Sequence, residues 1–200
     1  MTWPGEEKAW TLLAKLDPEE VQRNAHVIHD KNLSTYELIC FDQQIRISLS
    51  DQTISGTSDI SHTLMKELGD FTRLSILNYL VNAKEIPAAQ NLVRPSDLPG
   101  GDIFARGTHV LPLDEIATQF NNNRAGFLEK GQYLGGKQLD YGDMSVELVP
   151  FPRIPVVLIV WSGDEEFPAK SSLLFDSSCI FHMPIDILWS TAMLTVRMMI

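Results

Sequence analysis

The sequence predicts an α+β protein, with residues 1–200 as one domain, a largely antiparallel sheet packed by helices, and a long irregular loop near the middle. Three observations point there. Apolar residues recur at spacings of three and four over several segments, as on the buried face of a helix. Elsewhere they alternate with polar residues or run unbroken, as in strands buried on one face or on both. The predicted strands are joined by turns, with helices before, between and after them, which favours antiparallel pairing.

In chain order, residues 6–16 place Ala9, Leu12, Leu13 and Leu16 on one helical stripe. Asp17-Pro18-Glu19-Glu20 starts a second, short helix. Asp17 caps it, Pro18 suits the first helical position, and Glu20 lies three residues past the cap to close a capping box. Strands follow at 36–41 and 43–49 around a tight turn at Asp42-Gln43. In the second strand Ile45, Ile47 and Leu49 alternate with Gln44, Arg46 and Ser48; a third short strand is expected around 52–55. One long helix is expected over 60–82, where Ile60, Leu64, Leu68, Phe71, Leu74, Leu77, Leu80 and Val81 form a core stripe. Gly69 weakens its middle.

From Ala83 to Leu113 the periodicity dissolves among Pro87, Pro95, Pro99, Pro112, Gly100, Gly101 and Gly107. An irregular stretch of this length is often functional. Helical spacing resumes over 113–121 and 124–134 and stops at Gly135-Gly136. Met144, Val146 and Leu148 then alternate, and Val156 through Trp161 is the unbroken apolar run of a central strand. A short strand near 172–175 comes next. Pro184 opens a closing helix with Ile185, Leu188, Trp189, Ala192, Met193 and Val196 on its buried side. There is no internal repeat and no low-complexity segment.

Composition narrows the functional classes. The hydrophobic fraction of 44% and charged fraction of 21% are ordinary for a globular protein. Sixteen basic against 26 acidic residues give a net charge of −10, and no basic cluster is visible, which argues against nucleic acid as a partner. Cys40 and Cys179 are far apart and lack metal-ligand spacing, so both are expected as buried free thiols in a reducing compartment. The N-terminus, Met1 to Glu7, lacks the basic and apolar regions of a signal peptide. No apolar run approaches the ~18 residues that span a bilayer. These features together predict a cytoplasmic location, without membrane partners.

The densest unusual chemistry lies in Trp161-Ser162-Gly163-Asp164-Glu165-Glu166-Phe167-Pro168, followed by Leu174-Phe175-Asp176. In an extended segment Asp164 and Glu166 project to one side, where paired carboxylates can bind a hard cation or raise one another's pKa. The simpler alternative is a hairpin turn at Gly163-Asp164 with solvated glutamates. A second candidate is Asp97 through Arg106, where Gly100 and Gly101 would let backbone amides approach an anion beside Arg106, with His109 close in sequence. It lacks the lysine and helix start of a phosphate loop, and a structural Ω-type loop is the competing reading. His26 and His29 have an H-x-x-H spacing at a helix-to-strand junction, a poor setting for shared ligation. H-E-x-x-H, C-x-x-C, P-loop and G-x-S-x-G motifs are absent.

Leu16-Asp17-Pro18-Glu19-Glu20-Val21, Asp97-Leu98-Pro99-Gly100-Gly101, Leu134-Gly135-Gly136, Pro155 to Trp161, Gly163 to Pro168 and Leu174-Phe175-Asp176 occur in this order. In that order they resemble the DUF3786 family over essentially the whole chain. The resemblance implies an anaerobic bacterium or archaeon and a link to corrinoid or iron–sulfur metabolism, with a small-molecule ligand or partner protein from that metabolism. Some members carry an additional cysteine-rich iron–sulfur module, which two cysteines cannot supply here. No catalytic residue and no cofactor follow from it.

The leading expectation is therefore a binding or accessory domain. Its ligand face would be Asp97, Gly100, Gly101, Arg106 and His109 from the loop 95–109, with Trp161, Asp164, Glu165, Glu166 and Phe167 from the acidic turn and Asp176 from the segment after it. One alternative is a metal-dependent enzyme using Asp164 and Glu166 with His109 or His182. The other is a structural partner subunit, which an exposed apolar patch at Met198-Met199-Ile200 would favour.

Overall fold

A computed structural model describes residues 4–105 and 109–200. Helix α1 (Pro4–Leu13) leads into α2 (Pro18–Ala25), which starts where the sequence places it. The Asp17 carboxylate accepts from the Glu19 amide at 3.1 Å, satisfying a helix-start donor. Glu20 does not complete the expected box; its carboxylate accepts from Asn24 Nδ2 one turn on.

Four antiparallel strands then form a meander: β1 (Ile28–Asp30), β2 (Thr35–Cys40), β3 (Gln43–Ser48) and β4 (Thr53–Ser55). The β2–β3 turn is Phe41-Asp42, one residue earlier than expected, because Cys40 pairs with Gln43. Both turn residues have positive φ, 48° and 60°, the backbone of a tight hairpin usually given to Asn and Gly. Phe41 tolerates it because its ring is fully buried and its N–H donates to the Val149 carbonyl at 3.1 Å. That bond ties the first sheet to the second.

The leucine stripe belongs to two helices, α3 (Asp59–Lys66) and α4 (Gly69–Asn82), not one. Gly69 opens the second, where its poor helix propensity costs least. Apolar spacing continues across the break, so periodicity alone reads through it.

The second sheet has order β5-β9-β8-β7-β6, all antiparallel, with β5 (Leu92–Val93), β6 (Lys137–Leu139), β7 (Met144–Phe151), β8 (Ile154–Trp161) and β9 (Lys170–Asp176). β8 is central, and Val156 through Val160 are buried, as the unbroken apolar run requires. In β7 the register shifts between Leu148 and Phe151, where Pro150 has no N–H to give the ladder. Helices α5 (Leu113–Gln119) and α6 (Arg124–Tyr133) lie between β5 and β6 in the chain, and α7 (Ile185–Met199) closes it. α4 packs against both α1 and α7, and Tyr79 of α4 stacks on Phe151 of β7 at 5.0 Å. One continuous hydrophobic core runs beneath both sheets. Among the described residues no helix is long and apolar enough to cross a membrane.

Two close approaches explain Gly135 and Gly136. Gly135 has φ +74°, and a Cβ there would lie 2.3 Å from Asp42 Cβ at the hairpin tip. A Cβ on Gly136 would lie 2.6 Å from the Val146 side chain. Both glycines let the end of α6 seat against the junction of the two sheets.

Candidate functional site

The acidic turn joins β8 to β9. Asp164 points its carboxylate back into the turn, where Oδ1 accepts from the amides of Phe167 (2.8 Å) and Glu166 (2.9 Å). These bonds, Phe167 first, hold the Asp164 carboxyl below its ordinary pKa. Neighbouring loops anchor the turn: Asn121 Oδ1 accepts from the Gly163 amide and the Asp143 carboxylate from the Ser162 amide. Trp161, Glu165, Glu166 and Phe167 are exposed around it, with Phe167 at 67%. Asp164 is thus an internal brace, and among the described residues no three His, Cys, Asp or Glu side chains group as metal ligands. This geometry favours the solvated hairpin over paired carboxylates.

The Gly-Gly loop folds into two short 3₁₀ turns, Pro95–Asp97 and Gly101–Ala105, so the expected irregular stretch has local structure of its own. Gly101 is required by contact: a Cβ there would fall 2.0 Å from the Pro95 carbonyl oxygen. Its amide donates to the Leu98 carbonyl at 2.8 Å and so is not free to cradle an anion. Gly100, at φ +77°, lies against Ile185 at the start of α7, and Asp97 is exposed. Arg106 lies outside the described residues.

The loop's stem and the acidic turn lie at opposite ends of β9. β5 holds the loop's stem against Phe175 and Asp176, the far end of β9, whereas the turn leads into Lys170. Those ends are separated by about 17 Å at ~3.4 Å per residue of strand. Phe104 of the loop meets Phe175 ring to ring at 6.3 Å, fixing the loop at that end.

The loop does help to build a different site. A cleft of about 340 Å³ opens between α4 and α7, walled by Phe71, Leu74, Ile103, His109, Ile187 and Trp189. The Trp189 ring meets Phe71 at 5.8 Å and 72°, and His109 at 4.7 Å and 70°. Its indole N–H donates to the His109 carbonyl at 2.5 Å, which fixes the ring. Asp70 and Asp186, in the first turns of α4 and α7, stand exposed at the rim. The periodicity places Phe71 and Trp189 on core stripes; both are only half-buried because the stripes diverge at the helix starts. Of the predicted site residues that are described, only His109 lines this cleft. Nothing local in the sequence marks Phe71, Trp189, Asp70 or Asp186, which meet only through tertiary packing.

Titratable groups buried near Asp176 serve the fold. Asp176 is 3% exposed and accepts from the Ala89 amide, the Ser178 amide and the Ser178 hydroxyl. Burial opposes its ionisation, but these hydrogen bonds outweigh it and lower its pKa. His182 is fully buried, and its Nδ1 accepts from the Lys84 amide at 3.3 Å. Burial first, then the Arg153 charge, pulls its pKa down to about 4, against an upward pull from Asp176. Burial also raises both cysteine thiols, that of Cys179 to about 12, and both cysteines are free. His26 caps the end of α2 with φ +54°, while His29 of β1 packs at a tilt against Tyr36 of β2. The end of α7 offers no exposed apolar patch, since Met198 and Met199 are buried.

No curated protein and no solved structure matches the chain. A family model described as a domain of unknown function (DUF3786) matches residues 17–198, and the chain belongs to that family.

Proposed function

We propose that this chain is a non-catalytic binding or accessory domain whose small-molecule ligand seats in the cleft between α4 and α7. The observation that carries the reading is the cleft's construction. Its volume of about 340 Å³ lies within the ~300–1,000 Å³ typical of ligand sites, and its walls are chiefly aromatic and aliphatic. Trp189 is held at a set angle by its bond to the His109 carbonyl, so the walls are formed before any ligand arrives. Two of the groups that could do acid–base work, Asp176 and His182, are sealed in the core and engaged in structural hydrogen bonds. The acidic turn uses Asp164 Oδ1 to brace its own backbone, which supports a structural role for that carboxylate. The family likeness suggests the metabolic setting, in which this domain serves a corrinoid or iron–sulfur protein in an anaerobe's cytoplasm.

A broad fragment screen followed by ¹H–¹⁵N correlation spectra tests the site. Shifts gathering on Phe71, Ile103, His109 and the Trp189 indole support it; hits gathering elsewhere, or none, refute it. Anaerobic purification of the untagged chain, with absorption spectroscopy and mass spectrometry of what accompanies it, tests the metabolic setting. A corrinoid or iron–sulfur protein in the complex supports that setting, and repeated recovery of the chain alone refutes it.

A further inference from the structure

We infer that the cleft selects organic cations, a primary or quaternary ammonium carried on an apolar body; this rests on the cleft being the ligand site. The walls favour such a group. Phe71, His109 and Trp189 all line the space, and the first two meet Trp189 at steep angles, 72° and 70°, so the aromatic walls are not coplanar. Aromatic walls of this kind favour a cation seated over the exposed part of a ring. The indole N–H is already committed to the His109 carbonyl, so Trp189 offers a ligand its ring and not a donor.

Charge favours it as well. Asp70 and Asp186 line the cleft from opposite helices, and neither has an ion-pair partner among the described residues. Among the described residues no lysine or arginine lines it. Arg73, one turn beyond Asp70, is engaged by the buried Glu6 carboxylate through its Nε at 3.0 Å and through Nη2. The N-termini of α4 and α7 each contribute a partial charge of about +0.5, which two full carboxylates exceed. Lys8 lines an adjoining hollow that shares Gly5, Leu74, Asp186 and Ile187 with the cleft, and among the described residues it is the nearby cation that opposes the inferred ligand. A ligand ammonium therefore gains the aromatic walls and two carboxylates, whereas a carboxylate of the same shape meets repulsion.

The test uses three probes with one body: 2-phenylethylammonium, 2-phenylethanol and 3-phenylpropionate. Each is titrated into the intact chain while the Trp189 indole ¹H–¹⁵N signal is followed. The cation should bind about tenfold more tightly than the alcohol, and the carboxylate more weakly than either. The double variant Asp70→Asn, Asp186→Asn should remove the cation's advantage over the alcohol, and Lys8→Gln should strengthen cation binding. Unchanged thermal unfolding of the variants confirms that they are folded. If alcohol and cation bind equally, or the cation's advantage survives the double variant, the cation inference is overturned while the ligand site stands. If none of the probes moves the Trp189 signal, both fall.

Discussion

Lowering the pH from 6.5 towards 4 should destabilise the fold chiefly through His182. This imidazole is fully buried, its Nδ1 takes the Lys84 amide, and its Nε2 has no hydrogen-bond partner among the described residues. Burial, with Arg153 nearby, holds its folded pKa at about 4, against an ordinary value of 6.5. Between those values the unfolded chain binds a proton that the folded chain refuses. Its contribution is therefore complete above pH 6.5 and lost as pH falls to about 4. That difference corresponds to about 3 kcal/mol, a large part of the ~5–15 kcal/mol that stabilises a typical domain. Urea unfolding at intervals from pH 7 to pH 4 should show stability falling by up to about 1.4 kcal/mol per pH unit. His182→Asn, whose amide oxygen can still accept from Lys84, should be less stable at pH 7 and lose that slope. Asp176, whose pKa is lowered, acts in a separate window: its contribution is present above the ordinary carboxyl range and fades as pH falls below it. An unaltered slope in the His182 variant, or an NMR titration of His182 near 6.5 in the folded chain, would refute the reasoning.

Gly135→Ala, at φ +74° and with its Cβ 2.3 Å from Asp42 Cβ, should cost about 1–3 kcal/mol in chemical unfolding. Gly69→Ala, with nothing within 4 Å of its Cβ, should be neutral or stabilise by up to about 1 kcal/mol. Tyr79→Phe removes a buried 2.8 Å bond to the Ala25 carbonyl and should lower stability by about 1–2 kcal/mol, read by the same method. Asp164→Ala should speed hydrogen exchange at the Glu166 and Phe167 amides, and Glu166→Gln should not, because only Asp164 caps those amides.

Much of the fold was legible because its signals are local. Asp17-Pro18 marks a helix start by capping chemistry confined to a few residues, and α2 begins there. Val156 to Val160 announces a strand buried on both faces, and β8 is the centre of its sheet. The antiparallel pairing followed from short connections, and the pairing is antiparallel throughout. The break at Glu67-Leu68 was not legible, because α3 and α4 both draw on one continuous apolar period. Nor was the turn at Phe41-Asp42, where a buried phenylalanine takes positive φ that local preference disfavours. Tertiary burial and the bond to Val149 override that preference.

The sequence by itself determined the class of fold, most element positions and the family, since these depend on periodicity, capping and residue order along the chain. It also picked out the glycines at 100–101 and 135–136, but it could not say why they are there. Tertiary structure made Gly101, Gly135 and Gly136 matters of close packing, because the atoms they would strike belong to residues distant in sequence or folded back in a tight turn. It also separated the loop from the acidic turn along β9. The cleft belongs wholly to that second kind of information: Phe71, His109 and Trp189 lie far apart in the chain. Only the packing of α4 against α7, with the loop folded across their ends, turns three ordinary aromatic residues into the walls of one site.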